Sequence, residues 1–381
     1  MFILMVVVFV LGYTAIALEH PIKVDKAASA LMIGSLTWVI YILGSADILN
    51  LGFSRAWEDF KSALPADALS NPKETAEHIH DFIVHNEIGH HLGEISQILF
   101  FLLGAMTIVE IVDQYQGFKV ITDKIKTTNK VKLLWILSIL TFFMSAALDN
   151  LTTTIVLVAL LRKLIADKET RWFFASMVIL AANAGGAWSP IGDVTTIMLW
   201  IGGQVTAANI IAMVIFPSLV TMAIPVILLS FTMKGNVERP VLDGSANKDF
   251  TTEKERLFIL ILGVSALLFV PVFKTLTHLP PYMGMLLGLS VLWVVTEIMA
   301  RGKSAEDQRR RSVVAILSKV DVPTVLFFLG ILSAVASLQS AGHLDLLAGF
   351  LDEKLGNIYL INGAIGILSS IVDNVPLVAG A

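Results

Sequence analysis

The sequence contains no cysteine and few charged residues. The chain has no cysteine at all, which excludes disulfides, thiolate metal sites and cysteine nucleophiles. Only 15% of its residues are charged, 56% are hydrophobic, and the mean hydropathy is +0.78. A soluble protein of 381 residues needs a charged surface that this composition cannot supply. The composition therefore indicates a membrane protein, and no segment resembles a nucleic-acid-binding face.

The hydrophobic residues are concentrated in long blocks, each close to the ~20 residues that cross ~30 Å of hydrocarbon. The blocks lie at 1–18, 28–46, 95–112, 133–161, 172–203, 207–233, 257–273, 282–300, 322–338 and 358–381. The first block ends in Ala15-Ile16-Ala17, which is similar to a signal-peptide cleavage site. We interpret it as a true span, because it has no basic n-region and the next span follows closely.

The charged residues between the blocks predict the orientation of the chain. The segment 47–94 is strongly acidic, whereas basic clusters lie at 119–132, 162–171, 234–256 and 301–319. By the positive-inside rule, all the basic clusters face the cytoplasm and the N-terminus lies outside. Block 133–161 has basic residues on both flanks, so it is predicted to be a re-entrant helical hairpin with its tip at Asp149-Asn150. One long tilted helix is the alternative.

The acidic segment also contains a group of histidines: His78, His80, His85, His90 and His91. A zinc site needs three or four convergent ligands, and this spacing does not supply them clearly. We interpret the segment as a solvated loop with an amphipathic helix leading into the next span, and a pH-sensing role is the alternative.

Two motifs recur in the same order along the chain. The motif at 99–104 returns at 326–330, and the motif at 145–150 returns at 369–374 at a similar spacing. The charges around the two copies predict opposite orientations, so that the first hairpin opens to the cytoplasm and the second to the outside. Inverted repeats with discontinuous helices are typical of secondary transporters.

This pattern predicts an all-α polytopic membrane protein with inverted repeats, re-entrant helical hairpins and a discontinuous transmembrane helix. N-terminal transmembrane helices occupy 1–46, and the external acidic, histidine-rich loop occupies 47–94. The first inverted repeat is 95–233, with the hairpin at 133–161 and the broken helix at 172–203. Linking loops with two transmembrane helices fill 234–321, and 322–381 is a second, incomplete repeat.

Two aspartates, Asp149 and Asp373, lie deep in hydrophobic blocks, and an asparagine follows each of them. A carboxylate at that depth is costly unless it is protonated, paired or bound to a cation. The sequence Asp-Asn-Leu-Thr-Thr-Thr at 149–154 supplies the hard oxygen ligands that a dehydrated alkali cation needs. Each aspartate is also suited to capping the second helix of its hairpin, and the two roles are compatible. We predict cation or proton binding at both tips.

The block 172–203 is interrupted at 183–193 by Asn-Ala-Gly-Gly-Ala-Trp-Ser-Pro-Ile-Gly-Asp. Three glycines and a proline cannot continue a helix without a cost. A broken helix exposes unpaired carbonyl and N–H groups together with the dipole ends that bind ions. Asp193, Thr195 and Thr196 begin the second half-helix, and capping is the alternative interpretation of Asp193.

These motifs, together with Glu-Ile-Ser-Gln-Ile-Leu-Phe-Phe-Leu-Leu-Gly-Ala-Met at 94–106, resemble those of NhaD-type sodium/proton antiporters in the ion transporter superfamily. The resemblance covers nearly the whole chain and is most specific at 94–200. The resemblance implies Na⁺ binding at Asp149 and Asp373. It also implicates the polar residues of the motifs in transport, which are Asp149, Asn150, Thr152, Asn183, Asp193, Thr195, Thr196, Ser369, Asp373 and Asn374, with Glu94 as a further candidate. The chain stops at Ala381, just past the second Asp-Asn pair, so we expect a C-terminally incomplete family member.

The predicted function is secondary antiport of Na⁺, with Li⁺ as a second candidate, against H⁺ by alternating access, with cation and proton competing for midplane carboxylates. We expect the lipid bilayer and a homodimer as partners, no cofactor, and location in a bacterial inner membrane. The alternative is an oxyanion or carboxylate permease of the same superfamily, of arsenite or citrate type, which aspartates at both tips disfavour. An enzyme is not expected, because the sequence lacks the His-Glu-x-x-His, Gly-x-Ser-x-Gly and Walker motifs.

Overall fold

The computed structural model of the chain describes residues 1–65, 68–240 and 251–369, together with Asn374 and Val378. Within these ranges the chain forms helices and no β-strand, apart from one isolated bridge between Asn129 and Asn236. Seven helical segments of this part are long and apolar enough to cross a membrane: Lys26–Leu43, Pro72–Gln114, Lys130–Leu148, Ala207–Thr232, Glu253–Thr277, Pro281–Ala300 and Val322–Ser340. The prediction of an all-α polytopic membrane protein is confirmed.

The helices are numbered in chain order. The first seven are α1 Phe2–Ala17, α2 Glu19–Ile22, α3 Lys26–Leu43, α4 Ser45–Leu49, α5 Arg55–Ala63, α6 Pro72–Asp81 and α7 Gly89–Gln114, with a π-helical segment at Phe82–Ile88 between the last two. The next seven are α8 Lys119–Thr122, α9 Lys130–Leu148, α10 Asn150–Leu164, α11 Lys168–Ala187, α12 Val194–Ile201, α13 Ala207–Thr232 and α14 Glu253–Thr277. The remainder are α15 Pro281–Ala300, α16 Ala305–Arg311, α17 Val313–Leu317, α18 Val322–Ser340, α19 His343–Leu355 and α20 Ile358–Ser369.

The chain forms two compact units. Unit 1 comprises Met1–Leu99 and Asp321–Ala381, and unit 2 comprises Phe100–Val320. The domain boundaries and the inverted repeat deduced from the sequence stay predictions.

In unit 1, α3 and α18 pack with their backbones in close approach. A Cβ atom on Gly34 would lie 2.5 Å from the carbonyl oxygen of Gly330, so a side chain does not fit at this crossing. The indole Nε1 of Trp38 donates a hydrogen bond of 3.1 Å to Ser333 Oγ. The second copy of the repeated Leu-Phe-Phe-Leu-Gly motif is therefore a helix-packing motif.

The segment 47–94, predicted to be a loop with an amphipathic helix leading into the next span, contains most of α4 together with α5 and α6. The run from Pro72 to Gln114 is one continuous helical segment of 43 residues. Asn71 begins this run by accepting a hydrogen bond of 3.1 Å from the backbone N–H of Lys73, and Pro72 occupies the favoured first helical position. The apolar side chains of Ile79 and Phe82 are buried in a cluster with Trp57 and Tyr41. Local capping and this packing explain the helix, while the external location stays a prediction.

In unit 2, helices α9 and α10 form a hairpin whose turn is the single residue Asp149. The N–H of Lys130, at the start of α9, donates to the carbonyl of Gly235 at 3.1 Å. The N–H of Ala166, just after α10, donates to the carbonyl of Glu238 at 2.9 Å. Residues 235–238 span at most about 11 Å, whereas the ends of one straight helix of this length would be about 50 Å apart. The two ends of the hairpin, at Lys130 and Ala166, therefore lie close together, opposite the tip at Asp149. One long tilted helix does not fit these bonds.

Helix α11 starts at the same side as the hairpin ends and runs toward the hairpin tip. Asp167 caps it by accepting the N–H of Thr170 at 2.7 Å, and hydrogen bonds from the hydroxyl and N–H of Thr170 lower the pKa of this carboxyl. The helix stops at Ala187 and the chain resumes as α12 at Val194, as the Gly/Pro-rich sequence predicts.

The chain offers a direct test of this topology, because it contains no native cysteine. We expect Lys130→Cys and Lys168→Cys to react with an impermeant thiol reagent from the cytoplasmic side only. Gln204→Cys is the control from the opposite side, because it precedes α13, whose 26 residues extend about 39 Å and end just before the segment that binds the hairpin ends. Labelling of positions 130 and 168 from opposite faces would contradict the hairpin in the membrane.

Candidate functional site

The hairpin tip is built around Asp149, which separates α9 from α10. Its backbone has φ +79° and ψ 160°, a region that is almost reserved for glycine and costs other residues about 1–3 kcal/mol. Its carboxylate accepts the backbone N–H of Thr152 at 2.8 Å on Oδ1 and the hydroxyl of Thr152 at 2.7 Å on Oδ2. Asp149 therefore caps α10, and it places a charged group at the turn of the hairpin.

Asn150 joins the hairpin tip to the broken helix. Its Nδ2 donates to Asn183 Oδ1 at 3.0 Å and to Asp193 Oδ2 at 2.6 Å. Asn183 belongs to the last turns of α11, and Asp193 is the N-cap of α12. One amide group therefore connects the hairpin tip to both halves of the broken helix.

Asp193 is almost completely buried, with 7% of its surface exposed. Its Oδ1 accepts the N–H of Thr195 at 2.8 Å and the hydroxyl of Thr195 at 2.5 Å. The hydroxyl of Thr196 donates to the backbone carbonyls of Ser189 at 2.8 Å and of Asp193 at 2.9 Å. Asn150, which directly follows Asp149, bonds Asp193, so the two aspartates lie in the same group of side chains. We call the side chains of Asp149, Asn150, Asn183 and Asp193 the tip cluster.

Two serines that the sequence analysis did not single out as site residues hold the tip cluster in place. Ser145 Oγ donates to the carbonyl of Ala182 at 2.6 Å, and Ser189 Oγ donates to the carbonyl of Ala146 at 2.5 Å. Ser145 stands in the repeated motif before Asp149, which was the available signal for it. Ser189 lies in the break, next to Pro190, and no signal in the sequence distinguished it as a site residue.

Glycine makes the close packing at the tip possible. A Cβ atom on Gly186 would lie 2.3 Å from the carbonyl oxygen of Gly192, and one on Gly185 would lie 2.2 Å from the carbonyl oxygen of Phe142. The break can therefore fold back against α9 only without side chains at these positions.

The remaining predicted site residues lie elsewhere or outside the described residues. Glu94 is in unit 1, where its carboxylate lies 3.4 Å from His90 and 3.6 Å from His91. Ser369 is the last residue of α20, Asn374 is exposed, and Asp373 lies outside the described residues. In the described ranges no group of three or more His, Cys, Asp or Glu is placed to hold a metal ion. The prediction of a second cation site at Asp373 stays a prediction.

A helical hairpin whose tip meets a broken helix in a polytopic membrane protein is characteristic of secondary transporters. The comparison with known sequences agrees with this class. The chain belongs to the CitMHS family, described as citrate transporters, whose sequence profile matches residues 2–381. The protein is therefore an integral, multi-pass membrane protein of a transporter family.

Individual relatives are named for sodium/proton exchange rather than for citrate transport. The chain is 42% identical over 378 residues to sodium/proton antiporter 1 of Arabidopsis thaliana, covering 98% of this chain and 59% of that protein. It is 40% identical over 382 residues to sodium/proton antiporter 2 of the same plant, covering 98% and 81%. It is 26% identical over 397 residues to the Na⁺/H⁺ antiporter NhaD of Alkalimonas amylolytica, covering 98% and 74%. The resemblance to NhaD-type antiporters is confirmed.

Proposed function

We propose that the protein exchanges Na⁺ for H⁺ across a membrane and that the tip cluster binds the two ions in turn. The observation that carries this proposal is that Asp149 and Asp193, each the N-cap of a helix, lie with Asn150 and Asn183 at two interruptions of the chain, the hairpin turn and the helix break. Carboxylate and amide oxygens are hard ligands that suit alkali cations. The names of the antiporter relatives are consistent with this substrate.

Citrate is the second candidate substrate, because the family profile carries that description. An anionic substrate needs hydrogen-bond donors or positive charge. The Nδ2 group of Asn150 donates to Asn183 and Asp193, and the hydroxyls of Thr152 and Thr195 donate to Asp149 and Asp193. These donors serve acceptors within the site, and the carboxylates repel an anion. The geometry therefore favours a cation.

Exchange follows if Na⁺ and H⁺ compete for the same carboxylates. Two close carboxylates repel each other, and either a proton or a cation between them relieves that repulsion. Alternating access of the tip cluster to the two sides of the membrane then converts competition into antiport. Li⁺, a second hard alkali cation, is included in the proposal as an alternative to Na⁺.

The location and assembly of the protein also belong to the proposal. We retain the bilayer as the environment, because the described residues include seven segments able to span it. The relatives come from a plant and from bacteria, so the bacterial inner membrane and the homodimer stay predictions from the sequence.

The competition can be measured directly. In proteoliposomes at pH values where the shared carboxylates are mostly protonated, the half-saturating Na⁺ concentration is expected to rise about tenfold per unit fall in pH for each proton displaced. Citrate uptake is measured in the same vesicles with and without a Na⁺ gradient. A pH-independent Na⁺ affinity would contradict shared-site competition, and citrate uptake at a comparable rate would favour the second candidate.

A further inference from the structure

The second half of the broken helix, α12, is short and needs support at both ends. Helix α12 has only 8 residues, fewer than the ~12–15 that an isolated helix needs to be even marginally stable. Its first end is fixed by Asp193, through the hydrogen bonds of the tip cluster. At its second end, the N–H groups of Gly202, Gly203 and Gln204 donate to the carbonyls of Met198, Trp200 and Leu199, and a side chain from another helix adds an anchor there.

Lys274 supplies that anchor from the last turn of α14. Its Nζ donates to the backbone carbonyl of Trp200 at 2.9 Å and lies 4.7 Å from the centroid of the Trp200 ring. The Trp200 side chain is only 3% exposed. The same ammonium group thus contacts both the backbone and the side chain of one buried residue.

The ammonium group of Lys274 lies at the C-terminal end of α12, where a positive charge is favourable. The last four carbonyls of a helix have no partner within the helix, and they carry the negative end of its dipole. A lysine ammonium at that end stabilises the helix, and its contact with the indole ring adds a cation–π attraction. The 8 residues of α12 separate Lys274 from the tip cluster by about 12 Å, so Lys274 does not contact the cluster directly and can position it only through the helix.

We infer that Lys274 is a positioning residue for the tip cluster: by fixing the C-terminal end of α12, it holds the Asp193 carboxylate at its N-terminal end against Asn150. This inference rests on the proposed function for its transport consequences. The anchoring of α12 itself does not depend on the transported ion.

The experiment compares four forms of the full chain in proteoliposomes. Lys274→Met removes the charge, and the half-saturating Na⁺ concentration is expected to rise about fivefold, with the maximal rate within about twofold of that of the original chain. Lys274→Arg retains a cation and is expected to restore half-saturation to within about twofold. The matched control is Lys168→Met, because Lys168 lies 5.7 Å over the ring of Trp172 but both residues belong to α11.

Hydrogen exchange separates this inference from the proposed function. In Lys274→Met, amides at 194–201 are expected to exchange about fivefold faster than in the original chain, while Lys168→Met leaves them unchanged. If the original chain does not transport Na⁺, the proposed function fails, and the exchange rates still test the anchor. Unchanged exchange at 194–201, or a lower maximal rate with unchanged half-saturation, would overturn the role of Lys274. Lys274→Gln takes the place of the methionine variant if that variant does not insert, with the same expected results.

Discussion

Asp149→Asn is expected to reduce Na⁺-dependent proton movement at least about a hundredfold while leaving the hairpin folded. Asparagine retains the oxygen that accepts the Thr152 N–H at 2.8 Å, so the cap of α10 survives. It cannot ionise, so neither a proton nor a cation is held there by charge. Hydrogen bonds and contacts to a charged group are worth about 1.5–3 kcal/mol, and a hundredfold loss corresponds to about 2.7 kcal/mol, near the upper end of that range. The measurement is the Na⁺-induced dissipation of a pH gradient in everted vesicles.

A second capping aspartate provides the control. Asp321 caps α18 by the same two bonds, from the N–H of Thr324 at 3.2 Å and from its hydroxyl at 2.6 Å, but it is exposed. Asp321→Asn is therefore expected to keep activity within about twofold of the original, since loss of exposed polar contacts changes stability little. A fully active Asp149→Asn variant would reduce Asp149 to a structural cap. Equal losses in the two variants would show that the effect is one of capping.

Gly185→Ala is expected to disrupt the packing of α9 against α11 and to abolish transport. The added methyl group would lie 2.2 Å from the backbone carbonyl oxygen of Phe142. Because the obstacle is backbone, no change of rotamer relieves it, and the two helices must separate. Overpacking of this kind costs about 1–3 kcal/mol or more. The expected result is a lower thermal unfolding midpoint in detergent, by several degrees, together with loss of Na⁺/H⁺ exchange.

The matched control for this substitution is Gly93→Ala. Gly93 also lies within a helix, α7, but nothing stands within 4 Å of the position that its Cβ would occupy. Replacement of a helical glycine by alanine in open space is expected to stabilise the protein by about 0.5–1 kcal/mol. If Gly185→Ala matched Gly93→Ala in both unfolding midpoint and transport, the close approach of α9 and α11 would not be essential.

The hairpin and the break were predictable because each has a local cause in the sequence. Basic residues on both flanks of 133–161 required the chain to return to the same side, and glycine and proline at 185–192 required α11 to stop. The position of Asp193 as the N-cap of α12 followed from the same break.

The contacts within the tip cluster were not predictable in the same way. The bonds from Asn150 to Asn183 and Asp193 join residues more than thirty positions apart in sequence, so they depend on how the hairpin packs against the broken helix. A single sequence states which polar residues lie at each interruption, but it does not state which atoms meet. For the segment 72–94 the sequence predicted an amphipathic helix leading into the next span, but its acidic and histidine-rich composition did not indicate the burial of Ile79 and Phe82.

The hydrogen bonds at the two ends of the hairpin also have a consequence for the biosynthesis of the protein. Residues 130–166 leave the ribosome well before Gly235 and Glu238, whose carbonyls accept the N–H groups of Lys130 and Ala166. Helices α11, α12 and α13 are synthesised in between. Until they have been inserted, the hairpin cannot form its closing bonds and exposes those two N–H groups at its ends. The hairpin is therefore closed late in translation, and a nascent chain that stops before residue 235 contains every residue of the tip cluster but lacks the acceptors of these two bonds.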